Sequence, residues 1–186
     1  MSPRSRPART WILLTLLGVL VASAGVGAAI VGFGSSPSGP PCQVTTTSGT
    51  YPLDREQATN AIAITTVAQS LGMPHHAVTV AVAAALQESG LHNLTHGDRD
   101  SLGIFQQRPS QGWGTPGQLL QPRYAAQAFL SRLAQIDGWA SLPVTDAAQR
   151  VQRSATPNAY AKWEPEARAI ARATTGELPG ALSCTR

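Results

Sequence analysis

Among the ten Asp and Glu residues of the chain, Glu88 occupies the setting that most alters a carboxyl group. It follows the apolar run Ala77–Leu86 and lies at the C-terminal end of the helix that this run predicts. Burial disfavours the carboxylate, and the negative end of a helix dipole disfavours it further. A glutamic acid that keeps its proton near neutral pH is the general acid that glycoside cleavage requires. On position alone, an ordinary helix-end glutamate facing solvent is the alternative. Asp100 is the candidate second carboxylate, although Asp98-Arg99-Asp100 equally suits local salt bridges and turns. His92 and His96, with Asp98 and Asp100, have a spacing that could hold a metal on a helix. Gly90 and Gly97 break such a helix and no glutamate completes a metalloprotease motif, so neither metal nor cofactor is expected. Trp113 can stack on a sugar ring or pin its own loop.

The elements that must position these residues are mainly helical. Asp54 as N-cap and Gln57 three residues later form a capping box, and Ala61, Ile64, Ala68 and Leu71 recur at helical spacing before Gly72. Pro74 starts a second helix ending about Glu88, apolar on every side and therefore enclosed by others. Residues 89–118 are glycine-rich and lack a long period. They read as an ordered loop with room for a small hairpin, anchored by Ile104, Phe105 and Trp113. A third helix has Pro122 at its first position and buries Tyr124, Ala128, Phe129, Leu133 and Ile136. Thr145 caps a short helix. A last one runs over about Asn158–Thr174, where Pro165 kinks or restarts it.

The N-terminus sets the compartment. Residues 1–10 carry Arg4, Arg6 and Arg9, and residues 11–33 carry no charge. Twenty-three residues at 1.5 Å each span about 34 Å as a helix, enough for a hydrocarbon core of roughly 30 Å. With basic residues only before it, the run predicts a single-pass anchor with a cytoplasmic N-terminus and residues 34–186 outside. Ala22-Ser23-Ala24 makes a cleaved signal peptide the competing reading, which exports the same domain into the medium. Residues 34–50 read as a flexible tether, and residues 51–186 as the outside domain. Cys42 and Cys184 are the two cysteines, and an oxidising exterior favours their pairing.

The net charge of +4 owes most of its excess to the three N-terminal arginines. Without them eleven Lys and Arg face ten Asp and Glu. That balance argues against nucleic acid as a partner. One membrane segment forms no transport path by itself, and a monomer is expected.

Gln87-Glu88-Ser89-Gly90, followed fifteen residues later by Gly103-Ile104-Phe105-Gln106, resembles the lysozyme-like superfamily of lytic transglycosylases and goose-type lysozymes. The whole stretch GDRDSLGIFQQRPSQGWG is similar to a branch found in exported actinobacterial proteins, and Asn158-Ala159-Tyr160-Ala161 to the late tyrosine motif of transglycosylases. The resemblance covers about residues 55–172. It implies a lysozyme-like helical domain with Glu88 as catalytic acid. It further implies a cleft lined by Ser101, Gly103, Ile104, Gln106 and Gln107, with Tyr160 approaching Glu88 from the last helix. Trp113 joins this set as the candidate sugar-stacking residue. Chicken-type enzymes place their second carboxylate where this chain has Ser101. Asp100 stands one residue earlier, on the opposite face of an extended segment.

The resulting expectation is a membrane-anchored domain that cleaves the β-1,4 link between N-acetylmuramic acid and N-acetylglucosamine with one glutamate. Its partners would be peptidoglycan glycan strands and, through residues 11–33, the membrane. A catalytically silent wall-binding module is the rival from another class, and a metal-handling accessory protein the third.

Overall fold

Asp54 and Gln57 begin the helical region as their types predict. The Asp54 carboxylate accepts from the Gln57 backbone N–H, and the Gln57 side-chain oxygen accepts from the Asp54 N–H, both at 2.8 Å. The computed structural model describes residues 41–154, 156 and 158–185. The anchor or signal at 11–33, the basic tail at 1–10 and the first part of the tether lie outside these residues. Among the described residues no helix is long and apolar enough to cross a membrane.

The chain is mainly helical with one small antiparallel sheet. Strands β1 (Cys42–Thr46) and β2 (Gly49–Leu53) form a hairpin, followed by helices α1 (Arg55–Ser70) and α2 (His75–Ser89). Next come α3 (Pro116–Leu119), α4 (Pro122–Leu133), α5 (Val144–Gln152), α6 (Glu164–Thr175) and strand β3 (Leu182–Cys184). Short 3-10 turns at Pro109–Gln111, Trp139–Ser141 and Ala161–Trp163 connect them.

The sheet has the order β2-β1-β3 and corrects the tether reading over residues 42–50. Cys42 and Val44 alternate inward along β1 and are buried, while Gln43 and Thr45 face out. Composition alone read this Thr/Ser/Gly-rich stretch as coil. The partner that makes it a strand, β3, comes from the other end of the chain. Cys42 pairs directly with Cys184 across β1 and β3, and the two form a disulfide. The bond closes a loop of 142 residues. In the chain-entropy model a loop that long removes about 5 kcal/mol of denatured-state freedom at most.

Helix α2 is enclosed as its uniform apolarity predicts. Every residue from Ala77 to Leu86 is buried, and α1, α4, α5 and α6 surround it. Helix α4 begins at Pro122, and its buried face consists of Ala125, Ala126, Phe129, Leu130 and Leu133. Tyr124, Ala128 and Ile136 are only partly buried. Thr145 is no cap. Pro143 precedes α5, the helix has no side-chain cap, and the buried Thr145 hydroxyl has no partner among the described residues. Pro165 restarts the last helix, standing in the first turn of α6 after a 3-10 turn at Ala161–Trp163. There its missing N–H costs no hydrogen bond.

Candidate active site

The end of α2 is built to hold a sharp turn. Gly90 and Leu91 both adopt φ of 64°, and their N–H groups return to the carbonyls of Leu86 and Ala85. Leu91 is a buried side chain in a conformation that L residues rarely adopt. The first turn and a half of α1 secures this backbone. Gln57 donates to the Gly90 carbonyl (2.8 Å), Asn60 donates to the Leu91 carbonyl (2.7 Å), and the Glu56 carboxylate accepts from the Asn93 N–H (2.8 Å). His92 joins them through a 2.7 Å contact with Asp54. That carboxylate holds the imidazole above its ordinary pKa. Among the described residues no cluster of three His, Cys, Asp or Glu could hold a metal ion.

Glu88 sits one turn of chain before this knot and is half-buried. Burial raises its pKa, opposed by hydrogen bonding from Tyr160 and Gln152. The Tyr160 hydroxyl donates to Glu88 Oε1 at 2.8 Å. Tyr160 is itself buried, and burial together with the adjacent carboxylate raises its pKa, so it stays a donor. From the same region Trp163 donates its indole N–H to the neighbouring Gln87 side chain (2.9 Å).

The glycine-rich segment forms a small hairpin, closed by paired backbone hydrogen bonds between Leu102 and Gln107 (3.0 Å each). Gly103 is required there. Its φ is 75°, and a Cβ would lie 2.3 Å from the Leu119 carbonyl oxygen. Two bonds fix the hairpin against the Glu88 helix. Ser89 donates its hydroxyl to the Ile104 carbonyl (2.8 Å), and Gln152, the last residue of α5, donates to the Phe105 carbonyl (2.9 Å). Phe105 stacks on Phe129 of α4 with ring centroids 4.6 Å apart.

These placements sort the residues expected to line a cleft. Ser101, Gly103 and Ile104 are buried, and the Ile104 carbonyl accepts the bond from Ser89 that ties the segment to the Glu88 helix. Gln107 is also buried and donates to the Ala125 carbonyl of α4 (3.2 Å), which makes it a framework residue. Gln106 stays part-exposed with φ of 47°. Its amide folds back onto the Gly103 carbonyl (3.1 Å) and covers Gly97, where a Cβ would collide with it. Trp113 is buried at 8% exposure, with the Arg132 guanidinium 3.3 Å above its ring, so it pins its loop and offers one face fewer to a ligand.

Asp100 is fully engaged. One carboxylate oxygen accepts from Arg108 Nε (2.6 Å) and the other from the Ser110 N–H (2.8 Å). The Ser110 bonds and Arg108 hold its carboxyl well below the usual carboxylate range. It braces the 3-10 turn at Pro109–Gln111, which begins just after Arg108. Sequence reasoning missed Gln152, which donates to the hairpin at the Phe105 carbonyl and lowers the pKa of Glu88. Nothing local marks it, because its bond partner Phe105 lies 47 residues away.

The fold and the site together define a helical domain with a carboxyl group of raised pKa at the junction of a buried helix, a tight hairpin and a tyrosine. No protein-family model matches the chain, and no curated protein matches it.

Proposed function

We propose that this chain is a lysozyme-like domain that cleaves peptidoglycan glycan strands with Glu88 as its acid and then its base. The observation that carries the reading is the pairing of a half-buried Glu88, whose pKa burial raises, with the Tyr160 hydroxyl at 2.8 Å. It stands beside an Asp100 whose two oxygens are already bound. Such an arrangement supports a one-carboxylate scheme. Glu88 gives its proton to the glycosidic oxygen as the bond from that oxygen to C1 of the muramic sugar breaks. The resulting carboxylate, steadied by Tyr160, then takes the proton of that sugar's own C6 hydroxyl, and this oxygen bonds to C1. The product is a 1,6-anhydro end, with no water consumed and the glutamic acid restored. A resting Glu88 that is neutral at working pH is what the first step demands.

The compartment belongs to the same proposal. Residues 11–33 would anchor the domain, or a cleaved signal would release it, and in either case it would act outside the membrane. The Cys42–Cys184 disulfide suits that oxidising side.

The test is incubation of the purified chain with peptidoglycan, followed by mass analysis of the products. The reading requires 1,6-anhydro ends. Reducing ends would mean hydrolysis by an activated water. Retained binding without products would make the chain a wall-binding module.

A further inference from the structure

A cavity of about 670 Å³ opens at the end of α5, lined in part by Trp113, Arg132, Arg150, Val151, Gln152 and Arg153. Three guanidinium groups share it, and none of them forms a salt bridge among the described residues. The other large cavity, about 1090 Å³ between the β1–β2 hairpin and α6, is different. Its arginines Arg168 and Arg172 are paired with Glu164 and Glu177. Like charges placed together without an anion raise the energy of the unliganded protein, and here burial and the nearby Arg153 charge press Arg132 below its ordinary pKa.

One of the three side chains, that of Arg132, is also held in position. The Arg132 guanidinium carbon lies 3.3 Å from the Trp113 ring centroid, and the group donates to the Gly112 carbonyl (2.9 Å), two contacts that hold it in place. Arg153 ends α5 in the left-handed conformation, φ 54°, where glycine or asparagine is the unstrained choice. Gln152, between Arg150 and Arg153, lines this cavity and donates to the Phe105 carbonyl, and its influence on Glu88 is to lower the pKa of that carboxyl. Gln152 thus connects the lining of this cavity to the hairpin that Ser89 ties to the Glu88 helix. Planar guanidinium forks match carboxylates in paired hydrogen bonds, and Trp113 and Val151 give the same cavity apolar wall.

We propose that the Arg132–Arg150–Arg153 cavity is a subsite for a carboxylate carried on a side branch of the glycan strand, such as the peptide attached to the muramic sugar. The assignment of the branch rests on the function proposed above, and the oxyanion chemistry rests on the three unpaired arginines.

The test is calorimetric titration of the full-length chain with N-acetylmuramyl-L-alanyl-D-isoglutamine and with the same compound amidated at its free carboxyl. This ligand has no glycosidic link to cleave. The acid should bind at least tenfold more tightly than the amide. The Arg150→Gln/Arg153→Gln double variant should erase that preference, and Arg150→Lys/Arg153→Lys should keep part of it. Both positions are exposed, and circular dichroism checks the fold. Equal affinity for acid and amide, or a preference that survives in the glutamine pair, would overturn the subsite. So would displacement of the acid by inorganic phosphate at matched concentration, which would assign the arginines to a phosphate. A clear acid preference in a chain that leaves peptidoglycan uncut would sink the cleavage reading and leave the subsite standing.

Discussion

Tyr160 and Glu88, 72 residues apart in the chain, meet through a 2.8 Å hydrogen bond in which the phenol donates to the carboxyl. The bond opposes the rise in pKa that burial imposes on Glu88. One side chain thus lowers the pKa of the acid while exclusion of water raises it. Removing the phenol should separate these two effects. In Tyr160→Phe the carboxylate loses a stabilising donor, so the Glu88 pKa rises further. The basic limb of the pH dependence of glycan cleavage should move to higher pH, with a lower maximal rate because the second step loses its support. A limb that moves to lower pH would show that the phenol acts on something other than Glu88.

Glu88→Gln should abolish cleavage, with a loss of at least about 10²-fold, the lower end of a typical acid–base contribution. The same variant also reports stability. A carboxyl whose pKa is raised on folding contributes stability that is complete below its unfolded value near 4.5 and is lost as pH rises through the folded value. Gln mimics the neutral form at every pH. The variant should match the wild type in urea denaturation at pH 4 and exceed it at pH 8.

Asp100→Asn should lower turnover less than Glu88→Gln on the same glycan at the same pH. Its carboxylate holds Arg108 and the Ser110 N–H, so the expected consequence is a loosened turn at Pro109–Gln111. Faster amide exchange at Ser110 and Gln111 would register it. Equal, near-complete losses of activity in the two variants, both folded, would establish a two-carboxylate hydrolase.

Gly103→Ala should destabilise the domain by about 1–3 kcal/mol, the usual cost of forcing a side chain into a strained backbone well. The added Cβ would have to displace the Leu119 carbonyl, which is backbone and yields little. Urea midpoints with an unchanged slope would measure the loss.

His92 offers a pH signature of the opposite kind to a buried acid. Asp54 raises its pKa, so the pair stabilises the fold below the unfolded histidine value near 6.5, and the contribution fades as pH rises through the folded value. Both groups are substantially exposed, and the effect should be modest. His92→Gln should therefore be less stable than the wild type at pH 5 and nearly equal to it at pH 8.5, compared in thermal melts.

The longer helices, the α1 cap and the helix-end place of Glu88 were legible in the residues themselves. Asp54 and Gln57 act on each other across one turn, the Ala77–Leu86 run is apolar whichever way it faces, and proline at Pro122 and Pro165 acts through its own ring. These are local causes, and a sequence carries them openly. The helix-end position of Glu88 and its burial follow from the same run.

What only the tertiary structure decided depends on partners far along the chain. Residues 42–50 read as a tether because a strand of Thr, Ser and Gly has no local reason to order, and it becomes a strand only when Leu182–Cys184 arrives to pair with it. Gln107 and Trp113 looked available to a ligand until α4 supplied the Ala125 carbonyl and the Arg132 guanidinium that occupy them. Arg132, Arg150 and Arg153 carried no pattern at all, since α4 and the end of α5 bring them to one cavity only in the folded chain. Period and capping are written residue by residue, whereas burial, charge pairing and access to a site depend on which distant surfaces meet.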